Sequence, residues 1–373
     1  MPRTKGAPGS PTLGTGKPEE PTRQQTYSGA VDDAGEGLRG PRAAPTAELT
    51  QALLRRYGIE VGQSRDLGGS SNLNLLVSDG AARYVVRVYR PYVTARRLAD
   101  IHRVRHELDR AGVPCPRLVA TCDGQPWVRV GGRLVEVERY VDHDARMDSW
   151  DRLQAGLPLL GRIHTLLQPV QASAEGRRPL FANYLDPACA RSATARGTAR
   201  IRGWRPTPAE QRLARLSDEL AELVSAEGGQ AETLPTQLVH GDFWDNNVLF
   251  REGRIVLVTD FDFMGERARV DDLALTLYFA DSSLGQEDDG VRIARLRRLV
   301  DAYDSGLGNP LTTAERAAVP SAIARQPLWA IGSWLATLDD EKTARDLAAV
   351  VSADVERALR VVHELDKWQQ AFA

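Results

Sequence analysis

The chain has 373 residues, 42% hydrophobic and 26% charged, enough for one large domain or two lobes with a sizeable core. Its formal net charge of -2 excludes the strongly basic footprint of a general nucleic-acid binder. No apolar run reaches the roughly 18 residues that cross a bilayer and no signal-peptide core is seen, so a soluble cytoplasmic protein without membrane contact is expected.

Three cysteines without a CxxC pair (Cys115, Cys122, Cys189) fit a reducing compartment and are read as small buried hydrophobes. Lysine stands only at positions 5, 17, 342 and 367, so arginine carries nearly all the positive charge.

In chain order, residues 1–46 are rich in Gly, Pro, Thr and charge and nearly free of large apolar side chains, which predicts a disordered leader. Thr46 then caps a predicted helix in "TAELTQALLRRYG", stopped by Gly58. "NLNLLVS" and "RYVVRVY" read as strands around the turn "DGA". "TARRLADIHRVRHELDRAG" places Leu98, Ile101, Val104 and Leu108 on one helical stripe that Gly112 ends. "QPWVRV" and "RLVEVERYV" form two more strands around "GG".

From about 148 the pattern turns helical. "SWDRLQAGLPLLGRIHTLLQ" and "PAEQRLARLSDELAELVSAEGG" are amphipathic, and residues 174–207 between them read as a long irregular segment. Two short strands, "VLF" and "RIVLV", follow, and everything beyond Asp271 reads as helices. The layout is α+β: a small antiparallel β-rich lobe with one helix over residues 47–138, then a larger helical lobe over 139–373.

The chemistry concentrates in "LVHGDFWDNNVLFREGRIVLVTDFDF", residues 238–263. Nucleotide-dependent phosphoryl transfer needs acidic and amide groups to hold Mg²⁺, a carboxylate to accept the proton of the attacking hydroxyl, a cation on the phosphates and a turn of backbone N–H groups over them. His240, Asp242 and Asn247 precede one strand, and a second strand delivers Asp260 and Asp262. The turn "EGR" makes the two strands a hairpin, which brings Asn247 and Asp260 toward one end.

This pattern, H-G-D-x-x-x-x-N and then D-F-D after a hydrophobic strand, resembles the aminoglycoside phosphotransferase superfamily. That group includes choline kinases, homoserine-kinase-like enzymes and fructosamine kinases, and its fold is similar to that of protein kinases. The resemblance implies ATP and Mg²⁺ as cofactors, Asp242 as catalytic base with His240 orienting its loop, and Asn247 and Asp260 as metal ligands. Asp262 stands where protein kinases carry glycine and is implied as a further metal or substrate group.

Upstream, "GGSSNLN" resembles the phosphate-covering turn, with Gly69, Ser70, Ser71 and Asn72 facing the phosphates. Arg87 in "YVVRVYRP" occupies the third-strand place of the kinase lysine. Asp100 and Glu107 are candidates for its acid partner, Asp100 preferred. The main chain between Glu136 and Tyr140, around Glu138, occupies the adenine-binding hinge. His164 in "LGRIHTLL" is read as structural, and Asp272 in "ARVDDLAL" as a brace for the catalytic loop.

The acceptor is expected in the helical lobe, where acids cluster: Asp142, Asp144 and Asp148 after the hinge, and Asp339, Asp340 and Glu341 in "WLATLDDEK". Such acids suit an amine-bearing acceptor. Arg325, Gln326, Trp329 and Trp334 are candidates to frame its pocket. The function implied is transfer of the ATP γ-phosphate to a hydroxyl of an amine-bearing antibiotic or natural-product intermediate. The alternatives are a choline or homoserine type of primary-metabolite kinase and a nucleotide-binding scaffold without turnover.

Overall fold

The computed structural model describes residues 41–69, 71–226, 234–284, 288–338 and 340–373. Ser70, Asp339 and residues 1–40 of the expected leader lie outside them. Residues 41–46 lie along the first sheet, where Arg42 pairs with Asp66 at 2.8 Å and donates to the Asn72 carbonyl.

α1 (Ala47–Ala52) starts at Thr46, whose hydroxyl accepts the Leu49 N–H; a π-turn, Leu53–Tyr57, continues it to Gly58. Five antiparallel strands follow in the order β1-β2-β3-β5-β4: β1 (Gln63–Asp66), β2 (Leu73–Asp79), β3 (Ala82–Val88), β4 (Val128–Val130) and β5 (Arg133–Arg139). Leu73, Leu75, Val77, Val86, Val135 and Val137 alternate onto one face and bury Leu49, Leu53 and Tyr57 of the first helix against it. On the other face lies α2 (Ala95–Arg110), which buries its predicted stripe of Leu98, Ile101, Val104 and Leu108.

The rest is mainly helical: α3 (Trp150–Leu167), the single turn α4 (Ala174–Arg177), α5 (Ala190–Gly203), α6 (Pro208–Ala226), α7 (Arg269–Leu284), α8 (Asp289–Ser305), α9 (Thr313–Trp329), α10 (Glu341–His363) and α11 (Leu365–Phe372). α7 is buried around nearly its whole circumference and forms the centre of this part. α5 corrects the expectation of an irregular segment over 174–207. Its buried face is Ala190, Ala193, Thr194, Gly197, Thr198 and Ile201, all small but the last, which fit against the π-turn Ala330–Leu335 but make no apolar stripe to read.

Cys122 and Cys189 are also corrected: both are exposed, in a turn and in the single turn before α5, and only Cys115 is buried. Among the described residues, no helix is long and apolar enough to cross a membrane.

Two small sheets position the polar loops. β8 (Val248–Arg251) and β9 (Arg254–Val258) are the expected hairpin, with β6 (Ala145–Arg146) beside β8. β7 (Thr236–Val239) and β10 (Gly265–Ala268), which sequence periodicity does not reveal, pair antiparallel with Val239 opposite Gly265.

Candidate active site

These two registers bring the motif together. Val248 faces Val258 and the Thr259 N–H reaches the Asn247 carbonyl at 2.9 Å, so Asn247 and Asp260 sit at one end of the hairpin. The β7–β10 pair sets His240–Asp242 alongside Phe263–Gly265. Gly241 makes this possible: its φ is +85°, and a Cβ there would lie 2.0 Å from the Phe263 carbonyl oxygen.

Asp272, in the first turn of α7, accepts the His240 N–H at 3.1 Å and the Gly241 N–H at 2.9 Å. His164 meets the same carboxylate at 3.0 Å and is itself held by the Tyr303 hydroxyl at 2.7 Å. Burial opposes ionisation of Asp272, but His164 and Arg267 hold its carboxyl below the ordinary value. The His240 ring is buried against Phe261, with centroids 4.4 Å apart, and its Nδ1 accepts the Asp242 N–H. Burial pushes its pKa down to about 4 despite nearby acids, so at neutral pH it is an uncharged support for the loop.

Asp242 is buried and accepts a hydrogen bond on each oxygen: from Asn183 Nδ2 at 2.6 Å and from Asn247 Nδ2 at 2.7 Å. Burial and then the Asp260 charge raise its pKa well above the carboxylate range, which makes the ionised form a stronger base. Asn247 also donates to the Asp242 carbonyl, so its amide nitrogen is engaged and its amide oxygen is the atom left for a cation. Asp260 adopts a left-handed conformation (φ 65°), uncommon outside glycine. Its side chain is 26% exposed where Asp262 and Arg87 beside it are nearly buried.

Arg87 binds both acids of the D-F-D segment, Asp260 at 3.2 Å and Asp262 at 2.9 Å. Asp262 also accepts from Asn72, which ties the glycine turn to this segment. Burial pushes Asp262 up to about 7, with the Arg87 charge opposing. In the turn, Gly68 and Gly69 take φ of +83° and +107°, and the Ser71 hydroxyl lies 3.1 Å from that of Tyr92.

Several expected roles move. Asp100 is not the partner of Arg87: it accepts from Arg103 at 3.0 Å and from Ser173, while Glu107 is exposed. The inward face of α2 carries cations instead, and the acids come from β5. Arg105 pairs with Glu136 at 3.0 Å and Glu138 at 2.8 Å. Glu138 is buried and its side chain belongs to this internal network; burial pushes its carboxyl up to about 7, with the Arg105 charge opposing. In the main chain, the Val137 carbonyl accepts from the Val119 N–H, and the Arg139 and Tyr140 N–H groups donate to the Arg117 and Arg83 carbonyls.

The expected acid cluster is also displaced. Asp142 is exposed and paired with Arg83 at 2.6 Å, and Asp144 accepts the Glu252 N–H. Asp340 caps α10, and Glu341 pairs with Arg345. Trp334 packs edge-on against Trp329 in the core, with centroids 5.9 Å apart. Arg325 is placed on the catalytic side: it pairs with Asp271, and its guanidinium and that of Arg267 lie 5.9 and 4.9 Å from the Tyr184 ring. Asn183 and Tyr184 come from the stretch read as irregular, where neither periodicity nor a motif marks them.

Comparison with known proteins accords with this geometry. The family model described as "Phosphotransferase enzyme family" matches residues 62–319. A homoserine kinase of Rhodopseudomonas palustris is 25% identical over 260 residues, 68% of this chain and 72% of the relative. A microcompartment-associated aminopropanol kinase superposes with a TM-score of 0.62 at 21% identity, covering 86% of this chain and 98% of the other. An amicoumacin kinase in complex with AMP-PNP, Ca²⁺ and Ami gives 0.61 at 15% identity, covering 83% and 92%.

Proposed function

Because the chain belongs to the phosphotransferase enzyme family and is an ATP-dependent small-molecule kinase, we propose that it phosphorylates the hydroxyl of a small amine-bearing alcohol, of the amino alcohol or hydroxy amino acid kind. The observation that carries this is the site around Asp242. The base is held on both oxygens by Asn183 and Asn247 with Asp260 as its neighbouring charge, and next to Asn183 the Tyr184 ring gathers Arg267 and Arg325, the latter paired with Asp271. A large polycationic antibiotic would want free acids at 142 and 144, which are engaged by Arg83 and the Glu252 amide. The homoserine kinase relative and the aminopropanol kinase fold support the smaller acceptor.

Residues 47–138 serve as the nucleotide lobe and 139–373 as the catalytic and acceptor lobe. Asp242 accepts the hydroxyl proton as the oxygen attacks the γ-phosphorus in line and ADP leaves, while Arg87 and Gly68, Gly69, Ser71 and Asn72 of the turn face the phosphates. The oxygen donors Asn247 and Asp260 fit Mg²⁺. A bound Mg²⁺ supplies charge neutralisation on the transferring phosphoryl group.

The test is Mg²⁺-dependent ADP release from ATP across homoserine, aminopropanols, choline, aminoglycosides and peptide antibiotics. Turnover with a small amino alcohol or hydroxy amino acid, lowered at least about 1000-fold in Asp242→Ala, is expected. Turnover confined to the antibiotics would overturn the acceptor, and nucleotide binding without ADP release would make the chain a scaffold.

A further inference from the structure

We infer that residues 171–183 form a strap that carries the state of the nucleotide turn and of α2 to the catalytic base, with Arg97 as its positioning residue. The inference rests on the reading of Asp242 as base and of the turn that holds Gly68, Gly69, Ser71 and Asn72 as the nucleotide's cover. One end of the strap is bolted to α2. Arg97 is buried and uses both terminal nitrogens: Nη1 donates to the carbonyls of Glu175 at 2.7 Å and Gly176 at 3.3 Å. Nη2 donates to those of Asp262 at 2.6 Å and Met264 at 2.8 Å. One guanidinium thus joins the helix, the D-F-D segment and the strap.

A turn further along α2, Asp100 accepts from Ser173, and a Cβ on Gly176 would fall 2.4 Å from its carboxylate. The helix and strap are therefore in direct contact, with no room for a side chain at that point.

The middle of the strap touches the nucleotide side by a second path. Ser71 of the turn meets the Tyr92 hydroxyl at 3.1 Å, and the Tyr92 ring packs edge-on against Phe181 with centroids 4.8 Å apart. Two residues on, Asn183 donates to Asp242 at 2.6 Å. Any shift of the turn or of α2 must move the group that aims the base, because these contacts are short and the pieces are packed. The strap offers a physical element through which nucleotide binding is felt at the acceptor side.

The test follows amide hydrogen exchange of the full chain with and without AMP-PNP and Mg²⁺, in wild type, Arg97→Met and Arg97→Lys. In wild type, slowed exchange is expected both around 71–76 and across 171–183. In Arg97→Met the first protection stays and the second is lost, and turnover falls on the order of 100-fold with KM for ATP within about threefold. Arg97→Lys keeps the charge but not the fork, and is expected to retain the fold with partial loss of the strap response. A strap that responds equally in all three proteins, or fails to respond in wild type while the turn does, would overturn the inference. No response in either region of wild type would remove the kinase reading itself, and the coupling with it.

Discussion

At the scale of single residues, the site is built by pairing each buried charge with something specific. Arg87 takes two acids at once, which a planar fork can do and a single ammonium does less well. His240 shows the opposite strategy, since it is buried neutral. Its folded pKa of about 4 lies below the ordinary 6.5, so the unfolded chain binds the proton first as pH falls. The associated stability is fully present above pH 6.5 and is lost progressively down to about 4. We expect the unfolding free energy, measured without metal or nucleotide, to drop by about 3 kcal/mol across that window from this group. His240→Gln should flatten that part of the profile; an unchanged slope in the variant would show that other groups cause it.

At the scale of elements, what matters is which pieces can lie close. The β7–β10 pair is short, yet it sets the His240–Asp242 loop against the D-F-D segment, and Gly241 is the point of closest approach. Gly241→Ala combines a left-handed backbone with a clash against the Phe263 carbonyl. The expected loss is about 3 kcal/mol or more in denaturant unfolding, with turnover reduced in the fraction that folds. A variant of wild-type stability and turnover would show that the loop can part from residue 263 freely. Elements with an apolar stripe, such as α2, were legible in the sequence because burial of large side chains enforces the helical period. α5 was not, because close packing of small residues against a π-turn needs no such stripe. β7 and β10 were too short for periodicity and depend on each other.

At the scale of the whole molecule, the antiparallel sheet and the helical part meet through polar contacts as well as through the core. α2 contributes apolar residues to the large hydrophobic cluster and cations to the D-F-D segment and to β5. Nucleotide held between the sheet and the hairpin should therefore stabilise the chain as one unit. With AMP-PNP and Mg²⁺ at 100 times the dissociation constant, mass action contributes about 2.7 kcal/mol. A rise of several degrees in the thermal midpoint is expected, with one cooperative transition, and a chelator should remove most of it. A shift that survives chelation would argue against Asn247 and Asp260 as the metal ligands.

The sequence alone determined β2 to β5, α2, the β8–β9 hairpin and the helices beyond Asp271, the α+β class and the D…N…D spacing. These depend on local periodicity, on turn residues and on spacing within one hairpin, all of which lie within a few tens of residues. Only the tertiary structure decided the partners. Arg87 bonds to residues 173 and 175 positions away, and Asn183 reaches Asp242 across 59. Asp142 and Asp144, adjacent in sequence to the hinge, are exposed and engaged by Arg83 and the Glu252 amide. An ion pair forms with whichever opposite charge the packed backbone brings within reach, and that proximity is a property of the fold, which local sequence does not encode.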